Sequence, residues 1–241
     1  MPYYPLGYPT PEVSVDVIEA LAKNGADLIE VGLPFSDPLA DGPVIQRATQ
    51  IALEQGMTVA KALAAVRELR ARHVTIPLIM MGYYNPMLAY GLPKLASEAA
   101  QSGADGFIVP DLPPEESAEF EAALGALPQI RMIAPTTPAN RIHAVTREAR
   151  GFLYLVSLTG TTGARASLSA DLPDFIARVR EHTNLPVCVG FGIGTPEQAR
   201  AVGQLADGVI VGSACVKTIG EAEKPVEATQ EFARTFKAAL S

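Results

Sequence analysis

The feature of this sequence that most constrains its fold is a short pattern that occurs three times. In each copy the end of a predicted helix is followed by Ala-Asp and a short apolar run, at residues 26–27, 104–105 and 206–207. This pattern is typical of the junction at which a helix leads into the next strand of a repeated β-α unit. The chain is therefore expected to be built from many such units.

Apolar runs and helical patterns predict eight strands, each followed by helix. The predicted strands are residues 1–9, 26–31, 76–81, 105–109, 129–134, 151–156, 186–190 and 207–211. The predicted helices are 11–24, 43–55, 58–72, 92–102, 114–124, 138–148, 170–182, 195–203 and 226–239. The strands are continuous apolar runs, which is typical of parallel sheets covered on both faces.

Eight units in 241 residues predict an α/β fold, a single (β/α)8 TIM barrel that spans residues 1–241 as one domain. A doubly wound open sheet is the alternative, but its glycine fingerprint is not found after the first strand. The strand-to-helix loops of a barrel carry its site, so these loops are the place to look for chemistry.

The composition limits the partners of this chain. Its net charge is −7 and it has no basic run, so a nucleic acid is not expected as a partner. A small anionic ligand remains compatible with that charge, because backbone N–H groups can bind it locally. No signal peptide and no apolar run of membrane-spanning length is found, so the sequence predicts a cytoplasmic protein without membrane contact. No spacing typical of a metal site occurs.

Residues 28–47 carry the strongest chemical signal. They begin as an apolar strand, pass through a proline-rich loop and end as the start of a helix. Glu30 lies inside the strand, where a carboxylate is rare because burying a charge is costly unless it is paired or neutralised. The pKa of Glu30 is expected to be raised, so that it holds a proton near neutral pH. Asp41 lies on the loop, and two carboxylates in different settings suit acid–base catalysis.

Each of these carboxylates also has a structural interpretation. Glu30 would be structural if it paired with a buried cation, for which Arg131 is the one basic residue in another predicted strand. Asp41 is explained equally well as the N-cap of the helix that follows it. Asp111 is expected to cap a helix that begins at residues 113–114.

Small residues follow the last three predicted strands, at residues 160–163, 190–194 and 212–213. Glycine lets a backbone approach a ligand closely, and a helix that opens at Ser213 would direct N–H groups at an anion. In a barrel, the loops after strands 7 and 8 commonly bind phosphate. Three adjacent loops of this kind favour a phosphate site over ordinary turns.

These residues resemble a known family, the tryptophan synthase alpha subunits. The most specific stretch is residues 30–46, E-V-G-L-P-F-S-D-P-L-A-D-G-P-V-I-Q. The similarity continues in order through residues 81–86, 111–116, 134–138, 160–165, 190–193 and 208–213. The family cleaves indole-3-glycerol phosphate to indole and glyceraldehyde 3-phosphate without a cofactor, so the resemblance implies that lyase activity here.

The resemblance also implies roles for individual residues. Glu30 matches the glutamate that shuttles protons, Asp41 the aspartate that accepts the indole N–H, and Tyr154 the tyrosine that orients this aspartate. The residues that match the indole pocket are Tyr3, Ile45, Met81, Tyr83 and Phe191. The residues that match the phosphate site are Thr162, Gly163, Gly192, Gly212 and Ser213. The alternative for the tyrosines is an ordinary place at the edge of the core.

The family implies a beta-subunit partner in an α2β2 complex, with pyridoxal phosphate bound by that partner. Two features depart from the family: the helix before strand 1 is apparently absent, and Gly7-Tyr8-Pro9 replaces the common Gly-Asp-Pro. Three alternatives remain open at this point. They are a weakly active module that binds and activates a beta subunit, a stand-alone indole-producing lyase, and another barrel enzyme that acts on a phosphorylated sugar.

Overall fold

Eight short parallel strands form the centre of the molecule. The computed structural model describes residues 1–156, 171–190 and 192–241. The strands are β1 (Tyr3–Pro5), β2 (Ile29–Gly32), β3 (Leu78–Met81), β4 (Gly106–Ile108), β5 (Arg131–Ile133), β6 (Leu153–Val156), β7 (Val187–Gly190) and β8 (Gly208–Val209). They pair in chain order as two four-stranded sheets, β1 to β4 and β5 to β8.

Two seams join these sheets into a closed barrel. At one seam the Tyr3 amide donates to the Val211 carbonyl oxygen at 3.0 Å. At the other seam the Phe107 amide donates to the Pro128 carbonyl oxygen at 2.9 Å, and the Phe107 carbonyl oxygen accepts from the Ile130 amide at 2.7 Å. The predicted (β/α)8 barrel is confirmed. The open sheet is wrong, because an open sheet has two unpaired edges.

Helices cover the outside of the barrel. They are α1 (Pro11–Lys23), α2 (Pro43–Glu54), α3 (Val59–Ala71), α4 (Tyr84–Tyr90), α5 (Leu92–Ser102), α6 (Ala118–Leu124), α7 (Ala139–Arg147), α8 (Leu172–Arg180), α9 (Pro196–Gly203), α10 (Ser213–Gly220) and α11 (Pro225–Leu240). A short 3-10 helix, Pro114–Glu116, precedes α6. Their starts follow local chemistry: Thr10 caps α1, with proline at the next position. The strands are shorter than predicted, because apolar runs extend beyond the residues that pair.

One helix was not predicted from the sequence. The residues after the third strand were expected to form a loop. Residues Tyr84–Tyr90 form α4 there, and the Asp111 carboxylate accepts a hydrogen bond from the Tyr84 amide at 2.9 Å. This contact satisfies one of the N–H groups that a first helical turn leaves without a partner. The expectation that Asp111 caps a helix at residues 113–114 is wrong: it caps α4, and no side chain caps the 3-10 helix.

The repeated Ala-Asp pattern has a structural role at two of its three sites. The Asp105 carboxylate accepts hydrogen bonds from the first amide of β3, at 2.7 Å, and from Arg70. The Asp207 carboxylate accepts from the first amide of β7, at 2.8 Å, and from Arg180, at 2.9 Å. Each aspartate therefore joins the start of its own strand to the start of the preceding strand and to an arginine. Asp27, by contrast, pairs with exposed Lys237.

We expect Asp105→Ala and Asp207→Ala each to lower the free energy of unfolding by about 1–3 kcal/mol, because each removes an acceptor from a strand amide. The matched control is Asp27→Ala, which removes only an exposed ion pair and should cost less than about 1 kcal/mol. Urea unfolding of the three variants measures these differences. An equal loss in all three would contradict the structural role of the repeat.

Candidate active site

Glu30 lies in the interior of the barrel. It is in β2, in register with Tyr3 of β1 and Ile79 of β3, and these residues share one face of the sheet. Its side chain is 1% exposed. Its Oε1 atom has no hydrogen-bond partner among the residues that the structure describes. A buried carboxyl in this setting favours its neutral form.

Burial raises the pKa of Glu30 to about 8, although the positive charge of the terminal amino group acts in the opposite direction. The carboxyl therefore holds a proton at neutral pH and can also release it there. Arg131 is not its partner: the Arg131 guanidinium forms an ion pair with Glu121 and donates to Ser117 Oγ at 2.8 Å. The structural pairing of Glu30 with Arg131 is therefore wrong.

Asp41 lies on the loop between β2 and α2, and the surrounding chain holds it by both its side chain and its backbone. The Tyr83 hydroxyl donates to Asp41 Oδ2 at 2.9 Å. The Asp41 amide donates to the Pro38 carbonyl oxygen at 3.0 Å, and its own carbonyl accepts from Gln46 Nε2 at 2.8 Å. Burial raises the pKa of Asp41 to about 6, and the Tyr83 hydrogen bond limits that rise.

The N-cap interpretation of Asp41 is wrong. The N-cap residue of α2 is Gly42 and not Asp41, and the Asp41 side chain makes no cap hydrogen bond to this helix. The carboxylate is 6% exposed and is directed instead to the Tyr83 hydroxyl. Asp41 is thus available for chemistry at the mouth of the barrel.

Two glycines at strand ends make room for two tyrosine rings. A Cβ atom at Gly32 of β2 would lie 2.4 Å from the hydroxyl oxygen of Tyr3, and one at Gly190 of β7 would lie 2.3 Å from that of Tyr154. Both tyrosines therefore lean toward the carboxyl ends of the strands. Burial raises the pKa of both hydroxyls well above the usual range, with further contributions from the charges of Glu30 and Asp41. Both hydroxyls are therefore uncharged at neutral pH.

The hydroxyl that bonds Asp41 in the described part of the chain is that of Tyr83. The sequence predicted Tyr83 only as a pocket wall, and it predicted Tyr154 as the residue that orients the aspartate. The orienting role of Tyr154 stays a prediction. The Tyr83–Asp41 bond joins residues that are 42 positions apart, so no local sequence pattern reveals it.

The predicted pocket wall comes together around these groups. Met81 ends β3, in register with Gly32, and Ile45 lies buried in the first turn of α2. A Cβ atom at Gly212 would lie 3.8 Å from the side chains of both Ile45 and Tyr3. The wall of the candidate indole pocket is therefore continuous with the candidate phosphate loops. Phe191 lies outside the described residues.

The candidate phosphate loops meet at the ends of β7 and β8, which are neighbours. Gly192 has a φ of +85°, and Gly212 precedes α10, which Ser213 begins. The N-cap residue Gly212 has no side chain, and no side chain within residues 1–156, 171–190 and 192–241 caps α10, so these residues leave its first N–H groups open to an anion. The other two predicted phosphate residues, Thr162 and Gly163, lie outside the described residues.

The described residues carry no cluster of three or more histidine, cysteine, aspartate or glutamate side chains that could hold a metal ion. None of the helices within residues 1–156, 171–190 and 192–241 combines the length and the apolar content needed to cross a membrane.

The buried carboxyl of Glu30 makes a prediction about stability. Its pKa in the folded chain is raised above the value of 4.5 that applies when it is exposed, so stability falls as the pH rises from about 4.5 to about 8. Glu30→Gln removes this dependence. We expect the free energy of unfolding of the variant, relative to the parent chain, to increase by on the order of 3 kcal/mol between pH 5 and pH 8. Denaturant unfolding at both pH values measures it, and a constant difference would contradict the raised pKa.

Comparison with known proteins identifies the family of this barrel. The family model described as tryptophan synthase alpha chain matches residues 1–241. The tryptophan synthase alpha chain of Chloroflexus aggregans is 54% identical over 218 residues, which cover 90% of this chain and 82% of that protein. The one from Roseiflexus castenholzii is 49% identical over 241 residues, which cover 98% and 92%.

A solved structure agrees with these relatives. The structure of Mycobacterium tuberculosis tryptophan synthase contains a chain that superposes with a TM-score of 0.92 at 38% sequence identity, covering 99% of this chain and 91% of the other. The match includes the stretch that carries Glu30 and Asp41. This chain belongs to the tryptophan synthase alpha chain family.

Proposed function

We propose that Glu30 and Asp41 are the catalytic residues of the reaction that this chain performs. As a tryptophan synthase alpha chain, it is a carbon–carbon lyase that cleaves indole-3-glycerol phosphate to indole and glyceraldehyde 3-phosphate, the alpha reaction of tryptophan biosynthesis. The observation that supports the assignment is the pair of buried carboxyls with different surroundings. The pKa of one is raised to about 8 and that of the other to about 6.

In the first step, the Glu30 carboxyl gives its proton to ring carbon C3 of the indole. Protonation at C3 converts the ring into a leaving group and puts positive charge on the ring nitrogen. Asp41 is ionised above pH 6, and its carboxylate accepts the ring N–H and stabilises that charge. The proton donor must therefore be neutral while the neighbouring carboxylate is charged, which is the order that the two pKa values give near pH 7.

In the second step, the Glu30 carboxylate removes the proton from the side-chain hydroxyl next to the ring. The C–O bond becomes a carbonyl, and the bond from C3 to the side chain breaks. The electron pair of that bond returns to the ring and neutralises the charge on nitrogen, which yields indole. Glu30 ends protonated, as it began, with the proton of the substrate hydroxyl, while its first proton stays on C3 of indole, so the cycle is closed without a further acid or base.

The remaining residues hold the substrate. We propose that the wall of Tyr3, Ile45, Met81, Tyr83 and Phe191 packs on the indole ring, and that Tyr154 helps to orient Asp41. The phosphate would lie at the start of α10, against Thr162, Gly163, Gly192, Gly212 and Ser213, where backbone N–H groups favour an anion. Binding energy from the phosphate would fix the position of C3 against Glu30.

The family implies a beta-subunit partner. We propose an α2β2 complex in which the beta subunit consumes the indole. We place a contact of this partner at the β2–α2 loop, where the Leu39 side chain is 83% exposed. The alpha chain family does not carry pyridoxal phosphate, and we propose that this chain acts without a cofactor. A cytoplasmic location and a single domain over residues 1–241 likewise remain proposals.

The direct experiment is to measure indole release from indole-3-glycerol phosphate by the parent chain, Glu30→Gln and Asp41→Asn. Each substitution should lower the turnover number by roughly 10²–10⁴-fold, because each removes acid–base or electrostatic catalysis at the reacting ring. Glu116→Gln, which changes an exposed carboxylate at the end of the 3-10 helix before α6, is the matched control and should retain turnover. Near-normal turnover in either site variant would remove that residue from its role.

The same assay, run with and without a beta subunit, separates the proposed roles of the whole chain. Indole release that is faster with the partner supports an activated lyase. Full speed without the partner indicates a stand-alone indole producer. Release only at trace levels in both conditions favours a module that binds and activates the beta subunit.

A further inference from the structure

We propose that Tyr83 positions Asp41 for the reaction by binding one carboxylate oxygen and leaving the other to the indole N–H. The proposal deepens the function proposed above and rests on the assigned role of Asp41. Tyr83 acts through Asp41 and is therefore a positioning residue, in addition to its place in the pocket wall.

The Tyr83 hydroxyl makes two hydrogen bonds of opposite direction. It accepts from the Ala40 amide at 3.0 Å and donates to Asp41 Oδ2 at 2.9 Å. A phenolic hydroxyl has one hydrogen to donate, and the Ala40 amide occupies one of its lone pairs. The hydrogen is therefore committed to the carboxylate, and the bond has one fixed direction.

The two oxygens of Asp41 are consequently not equivalent. Oδ2 accepts from Tyr83, whereas Oδ1 accepts no hydrogen bond from any residue in the described part of the chain. A ring N–H that entered the site would find Oδ1 as the acceptor. Tyr83 fixes the carboxylate through Oδ2, and Oδ1 is left to accept from the substrate. Preorganised electrostatic catalysis requires an acceptor that is fixed in this way before the reaction.

Tyr83 also fixes the loop that carries Asp41. Its ring packs on Phe35 of that loop, with 5.4 Å between the ring centroids. The loop begins against the end of β3, where the Leu33 amide donates to the Met81 carbonyl oxygen at 2.7 Å. A Cβ atom at Gly82 would lie 2.7 Å from Leu33 Cβ, so only glycine at position 82 lets these two segments approach so closely. The contacts of Tyr83 lie between this anchored start and Asp41.

Among the described residues, Tyr83 is the titratable group that stabilises the ionised form of Asp41. Burial and the negative charge of Asp41 raise the pKa of the Tyr83 hydroxyl, and Asp111 adds to this rise. Asp41 likewise raises the pKa of Tyr3 and Tyr154. The Tyr83 hydrogen bond lowers the pKa of Asp41 against the larger effect of burial. Loss of the hydroxyl should therefore raise the pKa of Asp41 further.

The test is the pH profile of kcat/KM for Tyr83→Phe, measured on the full chain in the presence of a beta subunit. In the parent chain the acid limb should lie near pH 6, where Asp41 loses its charge. In the variant we expect this limb to move up by about half a unit to one unit, which by itself lowers kcat/KM at pH 6.5 by roughly 1.5- to threefold. A substitution that only altered the pocket wall would change KM without moving the limb.

Tyr84→Phe is the matched control. The Tyr84 ring packs edge-on against Phe120, and its hydroxyl is not bonded to Glu30 or Asp41 in the described part of the chain. This variant should leave the acid limb in place. An unchanged acid limb in Tyr83→Phe, whatever happens to KM, would overturn the proposal for Tyr83. Asp41→Asn separates this failure from that of the proposed function: if that variant retains turnover, the role of Asp41 falls and the role of Tyr83 falls with it.

Discussion

The burial of the Glu30 carboxyl inside a closed barrel is the constraint on which the rest of the site depends. The Glu30 side chain is 1% exposed, and no basic side chain of the described strands neutralises it, since Arg131 is paired with Glu121. The carboxyl therefore stays neutral to a pH near 8. This costs the fold stability as the pH rises from about 4.5 to about 8, and it supplies a proton donor at neutral pH without any metal or cofactor in the proposed mechanism.

Burial also raises the pKa of Asp41, but here a hydrogen bond limits the rise. Asp41 lies on a loop rather than in a strand, and a directed hydrogen bond from Tyr83 offsets part of the effect of burial. One carboxyl of the site, that of Glu30, is thus buried within a strand. The other, that of Asp41, lies on a loop that Tyr83, just after β3, holds in place. The placement of the first is determined by sheet register and that of the second by a few side-chain contacts. The second therefore depends on contacts that a single substitution can remove.

Much of the fold could be predicted from the sequence, because hydrophobic periodicity and helix-end signals are local. The eight strands and most of the helices lie where the patterns place them. What escaped prediction depends on distant contacts: α4 is capped by Asp111, which is 27 positions from Tyr84 in the chain. The same holds at the site. Glu30 and Asp41 are visible as carboxylates in unusual settings, whereas the bond from Tyr83 to Asp41 requires the loop after β2 to meet the segment after β3 in space.

The central claim is that Glu30 holds a proton at neutral pH. The most direct measurement is a titration of the side-chain carboxyl by NMR in a chain labelled with 13C at glutamate Cδ, with Glu30→Gln to assign the resonance. The raised pKa that burial produces predicts a midpoint near pH 8 for this carbon. A midpoint near the ordinary glutamate value of about 4.3 would contradict it, and with it the assignment of Glu30 as the proton donor.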